Sequence, residues 1–255
     1  MPFTFAHPLY AAPVQRLAPQ YLSVTGLVLG SMAPDFEYFI MLEPYQLMGH
    51  TWKGLLLEAI PLSVLFAFLF HLIMKEQLAR HLPSYFELDR RSLAFVSTWR
   101  LPSIGAWLLF ILSVSIGFGS HVLVDSFTHQ SGWAVQQLPQ LQATAVGIPI
   151  YKWIQHSLSM VGLAVEVYWI YRIGRQVSPT LLSSQLQRVP SARKRTFWAI
   201  VVLVAMLTLM AKLLFSSRTN WIGILVVAPF SGSLLGLLLA AMHAKWSGRG
   251  SHHPK

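Results

Sequence analysis

Phe197-Trp198-Ala199-Ile200-Val201-Val202-Leu203-Val204-Ala205-Met206-Leu207-Thr208-Leu209-Met210-Ala211-Lys212-Leu213-Leu214-Phe215 decides the architecture. The run is apolar on all faces apart from Lys212, which lies near enough to its end to snorkel. Its length is close to the ~20 residues with which a helix crosses ~30 Å of hydrocarbon. Backbone groups in hydrocarbon must be satisfied within their own segment, so the run reads as a transmembrane helix. Runs of the same kind lie near 54–74, 103–124, 153–173 and 221–243. The short alternating segments of a β-barrel are not seen. The expected fold is all-α, a polytopic helical membrane protein with about five transmembrane helices. A shorter apolar run over 21–33 stops at Pro34 and reads as a half-buried or re-entrant N-terminal helix; a span built from it and its flanks would instead place the N-terminus in the cytoplasm.

Composition agrees with this. The chain has 255 residues, of which 54% are hydrophobic and 11% charged, where a soluble domain carries about 25% charged residues. Cysteine is absent, which excludes disulfides and thiolate ligands. Any metal must therefore be held by His, Asp, Glu or backbone oxygen. The net charge of +10 would point to nucleic acid in a soluble protein. Here membrane topology accounts for it, and no nucleic-acid partner is expected. The start of the chain lacks a basic region, and Pro2, Pro8, Pro13 and Pro19 interrupt it, so a cleavable signal peptide is not expected.

Loop charge orients the spans. Lys75, Arg80, Arg90, Arg91 and Arg100 fall in 75–102, and Arg175, Arg188, Arg193, Lys194 and Arg195 in 174–196. The positive-inside rule makes both loops cytoplasmic. The loop 125–152 has only Lys152 and belongs outside, with the segment 1–53, whose cations are Arg16 and Lys53. The C-terminal tail is expected in the cytoplasm. The organisation expected is a membrane domain over 1–175, a cytoplasmic linker over 176–196, and two further helices with a basic tail over 197–255. His252 and His253 in the tail read as incidental.

The first part holds a set of ionisable residues that a membrane segment tolerates only with partners or a role. His121, Asp125 and His129 are spaced i, i+4, i+8 and share one face if the helix persists that far. A His and a carboxylate one turn apart can bind one divalent cation, and can equally form a hydrogen-bonded pair at a helix end. Asp35 and Glu37 emerge after Gly30-Ser31-Met32-Ala33-Pro34. His50 opens the first span, His156 the third, and His7 lies near the start. Each alone is an ordinary interfacial residue, but the topology gathers them on the outer side. His71 reads as packed or snorkelling.

The opening Pro2-Phe3-Thr4-Phe5-Ala6-His7-Pro8, the Gly30-to-Tyr38 segment, His50-Thr51 and Gln155-His156 together resemble an uncharacterised bacterial membrane family, over roughly residues 1–165. The same order is similar, more distantly, to bacterial membrane-bound metal-dependent hydrolases and to the zinc-dependent phospholipase C family. That resemblance implies zinc, or another divalent metal, held by Asp35, His50, His121 and Asp125, with His7 sharing Asp125 at a second metal. His129 and His156 would belong to a third site. There the pattern departs, because Met160 stands where a Glu is expected. Asp35 or Glu37 would serve as ligand or general base. The resemblance implies a metal-dependent hydrolase of phosphoesters, and a site at the outer interface of a bacterial inner membrane suits a lipid or lipid-linked phosphate substrate. The alternative is a non-catalytic membrane protein whose His/Asp cluster binds metal for structure or transport.

Overall fold

A computed structural model describes residues 3–177, 188–216 and 220–249. Seven principal helices occur among them: α1 His7–Leu17, α2 Val24–Met32, α3 Trp52–His81, α4 Ile104–Ser126, α5 Ile150–Arg175, α6 Ser191–Phe215 and α7 Trp221–Arg249. The fold is all-α. The only described strands are the two-residue pair Thr144–Ala145 and Ile148–Pro149, closed by Val146 and Gly147 at φ 54° and 77°, a tight hairpin turn.

Among the described residues, four helices are long and apolar enough to cross a membrane: α3, α4, α6 and the Trp221–Ser247 part of α7. The chain is thus a multi-pass membrane protein in contact with the lipid bilayer. The expected fifth span forms a helix of 26 residues, α5, but is not among the four. Gln155, His156, Ser157, Ser159 and Glu166 dilute its apolar run. Of the expected linker 176–196, residues 178–187 lie outside the described residues, as do His252 and His253, and the part from Ser191 onward already belongs to α6.

The chain packs as two units that alternate along the sequence. One comprises Met1–Phe36, Gln46–Ala67 and Leu101–Tyr171. Its centre is a seam between α2 and α4. Ser23 caps α2 by accepting from the Gly26 amide at 3.2 Å, and its own amide donates to Ser113 on α4 at 2.8 Å. Gly26 and Gly30 then turn the same face of α2 to α4. A Cβ on Gly30 would lie 2.1 Å from the Val114 carbonyl oxygen, and one on Gly117 2.4 Å from that of Leu27. Lipid tails are as apolar as Leu, so helices in a bilayer gain little from burying large side chains. Small residues let backbones meet and recover dispersion instead.

α1 forms despite its prolines. Pro8 occupies the first turn, where its missing amide costs nothing, and Pro13 lies inside the helix. The segment is fastened to α5: the Phe3 amide donates to Ser159 at 2.9 Å, Tyr10 to the Leu158 carbonyl at 2.6 Å, and the Leu9 amide to Glu166 at 3.1 Å. In α3, the turn before Pro61 widens into a π segment, Leu55–Ala59. This accommodates the hydrogen bond that proline cannot donate.

The other unit comprises Glu37–Tyr45, Phe68–Arg100 and Arg172–Lys255. Here α6 and α7 pack closely along Gly232 and Gly236, and Phe197, Val201, Ala240 and Ala241 form a buried cluster. Lys212 donates to the Met41 carbonyl at 2.8 Å and to Glu43 at 3.1 Å. Lys194 is buried and donates to Asp89 at 2.6 Å, to the Leu82 carbonyl at 2.8 Å and to Ser84 at 2.9 Å. Burial opposes ionisation of Asp89, but the Lys194 ammonium outweighs it and holds the carboxyl below its usual range.

Candidate metal centre

The last turn of α4 places His121 and Asp125 on one face, four residues apart. The glycine seam presses the end of α2 against this turn, so that the Ser31 carbonyl accepts from His121 Nδ1 at 2.7 Å. Pro34 ends α2, and the tight turn Ala33–Asp35 delivers Asp35. Thr4 donates to Asp35 Oδ2 at 2.6 Å. His7 is the first residue of α1. His50 immediately precedes Thr51, which caps α3 by accepting from the Gly54 amide at 3.1 Å. Four separate segments of the first unit thus each supply ligand candidates.

The side chains converge on Asp125. Its Oδ2 lies 3.2 Å from both His50 Nε2 and His121 Nε2, and its Oδ1 lies 3.7 Å from His7 Nε2 and 3.6 Å from His129 Nδ1. Asp35 Oδ1 is 3.7 Å from His121 Nε2. The His7 and His121 rings stack at 3.8 Å. Candidate ligand atoms of His7, His121 and Asp125 lie within 4.8 Å of one another, as do those of Asp35, His50 and His121. His121 belongs to both groups, and its Nε2 has one lone pair. The two groups therefore describe one centre built around His121, rather than two complete ones.

Charge decides what this centre can hold. His121 Nδ1 donates to Ser31, so in a neutral ring Nε2 presents a lone pair to Asp125 and Asp35. Lone pairs facing one another at 3.2 and 3.7 Å repel. A positive charge, as a proton on Nε2 or a cation within the group, removes the repulsion. His7 Nδ1 and Nε2, Asp35 Oδ1 and His121 Nε2 are buried and make no hydrogen bond among the described residues. Buried polar atoms without partners are costly, and His7, Asp35 and His121 are completely buried. Burial, reinforced by the neighbouring His121, pushes His7 down to about 2, so its ring is neutral, the form in which His binds metal. Burial also raises Asp35 and lowers His129. The donor set fits a divalent cation: imidazole and carboxylate, oriented by Ser31 and Thr4 as outer partners.

The remaining expected residues belong to neither group. α4 stops at Ser126, so His129 lies in the following turn. Its amide still donates to the Asp125 carbonyl at 3.2 Å, and its ring stays beside Asp125. It lines a cavity of about 510 Å³ together with Gln130, Ser131, Gln136, Tyr151 and Lys152. His156 is exposed on α5, and the neighbouring Gln155 is the buried residue, accepting from Lys152 at 2.9 Å. Glu37 is buried and belongs to the other unit.

Two residues of the centre escaped the sequence reading. Ser31 acts through its backbone carbonyl, which leaves no signature in residue type. Thr4 was visible only as part of the opening segment. Thr4→Val is expected to leave Asp35 less well oriented and to weaken zinc binding about tenfold, measured by competition with a chromogenic chelator.

The family described as a domain of unknown function (DUF4184) matches residues 1–242 of the chain. No curated protein and no solved structure matches it.

Proposed function

The chain belongs to the DUF4184 family, and for this member we propose a membrane-embedded, zinc-dependent hydrolase of phosphoester substrates of lipid type. In this reading α5 is the fifth span, the loop charges set the C-terminus in the cytoplasm, and the site opens at the outer interface of a bacterial inner membrane. The observation that carries the reading is the convergence around His121 of buried imidazole and carboxylate atoms that make no hydrogen bond among the described residues, a set of donors that suits a divalent cation. Zinc is favoured over harder cations by the imidazole-rich donor set.

Asp35, His50, His121 and Asp125 would hold the ion, with His7 against them. A bound zinc acidifies water and polarises a phosphoryl oxygen. The chain's own residues do the rest. Ser31 and Thr4 fix the ligands. The half-buried His50 and His129, with side chains 19% and 27% exposed, give the otherwise closed centre its accessible side. Lys152, in the cavity beside His129, supplies the positive charge that a phosphoester needs. Asp35 acts as a ligand, and Glu37, outside both groups, has no assigned contact with the reacting atoms.

The test is hydrolysis of bis(p-nitrophenyl) phosphate and of a phospholipid by the purified, zinc-loaded chain. Turnover that a chelator abolishes and zinc restores is the expected result. Stoichiometric zinc with no hydrolysis of either substrate would sink the enzymatic reading. It would favour a second one, a structural or transport metal site, for which the complete burial of His7, Asp35 and His121 speaks.

A further inference from the structure

The second unit contains a cavity of about 550 Å³ between the C-terminal part of α3, the segment 93–100 and the end of α7. This volume lies in the usual range of about 300–1,000 Å³ for small-ligand sites. Its lining is strongly cationic. Lys75, Arg80, Arg100 and Lys245 face it, against a single carboxylate, Glu76. Glu76 is already committed to Arg80, at 2.8 and 2.9 Å.

The other three cations have no acidic partner among the described residues. Lys75 donates to the Ser97 carbonyl and lies 3.0 Å from His71 Nδ1. Lys245 donates to the Leu72 carbonyl at 3.0 Å. These contacts hold both ammonium groups at the cavity wall without neutralising them. Arg100 is exposed and makes no hydrogen bond or ion pair among the described residues. Its guanidinium keeps the planar fork that binds an oxyanion by two parallel bonds. The π segment Phe70–Met74 shapes this wall, and Trp99 stacks flat on His71 at 4.5 Å. Clustered like charges in a concave, partly apolar site concentrate the field that draws an anion.

The cavity adjoins the end of a membrane span, and Leu72, Leu93 and Val96 add an apolar side to it. Basic pockets at such a place suit anionic headgroups. We propose that this cavity is a binding site for a phosphate group, carried by an anionic membrane lipid or by a soluble phosphate ester. Lys75, Arg100 and Lys245 supply the charge. The site stands independently of the metal centre, and no hydrolysis is assigned to it.

The experiment titrates the purified full chain, in a neutral detergent, with phosphatidylglycerol in one arm and with inorganic phosphate and glycerol phosphate in the other. Native mass spectrometry and thermal unfolding report binding. Saturable retention of one ligand per chain is expected, weakened about tenfold or more in Arg100→Gln and in Lys75→Gln. Binding of phosphatidylglycerol alone identifies a lipid headgroup. Binding of the soluble phosphates as well identifies a site for the phosphate group itself. Arg100 holds no other protein group, so Arg100→Gln tests the proposal even if Lys75→Gln fails to fold. No saturable binding in either arm, or binding unchanged in Arg100→Gln, overturns it.

Discussion

Asp125→Asn is expected to abolish zinc retention while leaving a protein that still inserts and folds. Asn keeps the shape of Asp but has no negative charge, and one of its two terminal atoms becomes a donor. Four imidazoles surround that carboxylate, His50 and His121 at 3.2 Å, His129 at 3.6 Å and His7 at 3.7 Å. Even outer partners of metal ligands are worth about 10–100-fold in affinity, so losing the carboxylate on which the centre converges should cost at least that. The stability readout is separate. Zinc at a hundredfold excess over its dissociation constant stabilises the folded chain by about 2.7 kcal/mol. The native sequence should show this as a zinc-dependent rise in thermal midpoint, and Asp125→Asn should show none. A hydrogen-bonded His–Asp pair without metal predicts no zinc-dependent shift in either protein.

The second large effect lies away from the ligands. Gly30→Leu places a side chain where a Cβ alone would be 2.1 Å from the Val114 carbonyl oxygen and 2.7 Å from the Val114 Cα. Both obstacles are backbone, so no rotamer change relieves the clash and α2 must move from α4. Overpacking usually costs about 1–3 kcal/mol, and a rigid helix seam belongs at the upper end. The same displacement carries the Ser31 carbonyl away from His121, so zinc binding should weaken along with stability. Gly119→Ala on α4 is the control, because a Cβ there meets nothing within 4 Å. Removing a helical glycine is otherwise worth about 1 kcal/mol in favour of the helix, so this variant should be neutral or more stable. Equal losses in both variants would contradict the seam's role.

The spans were legible because apolar length is a property of consecutive residues, and four of the expected five meet it in the folded helices. α5 shows the limit. It forms a full helix, but Gln155, His156, Ser157 and Ser159 in its first half set it apart from the four apolar spans. The convergence of His7, Asp35, His50, His121 and Asp125 was legible as order and spacing, since each falls at a helix end or turn that the sequence marks. His156 shows where this fails. Adjacent helical residues point about 100° apart, and on α5 it is Gln155 that turns inward. Glu37 is separated from Asp35 only by Phe36, yet it belongs to the other unit, a division that no local pattern announces. The hydrogen bonds that orient the ligands were hidden for another reason: one comes from a backbone carbonyl, which every residue has.

The central claim is that the buried His/Asp group is a metal centre, and the most direct measurement is zinc content with X-ray absorption on the purified chain. The account predicts about one zinc per chain, with nitrogen and oxygen neighbours at about 2.0–2.2 Å and the outer scattering of imidazole rings. Both signals should disappear in His121→Ala. A chain that retains no zinc after equilibration, or that binds it equally well in His121→Ala, would contradict the account.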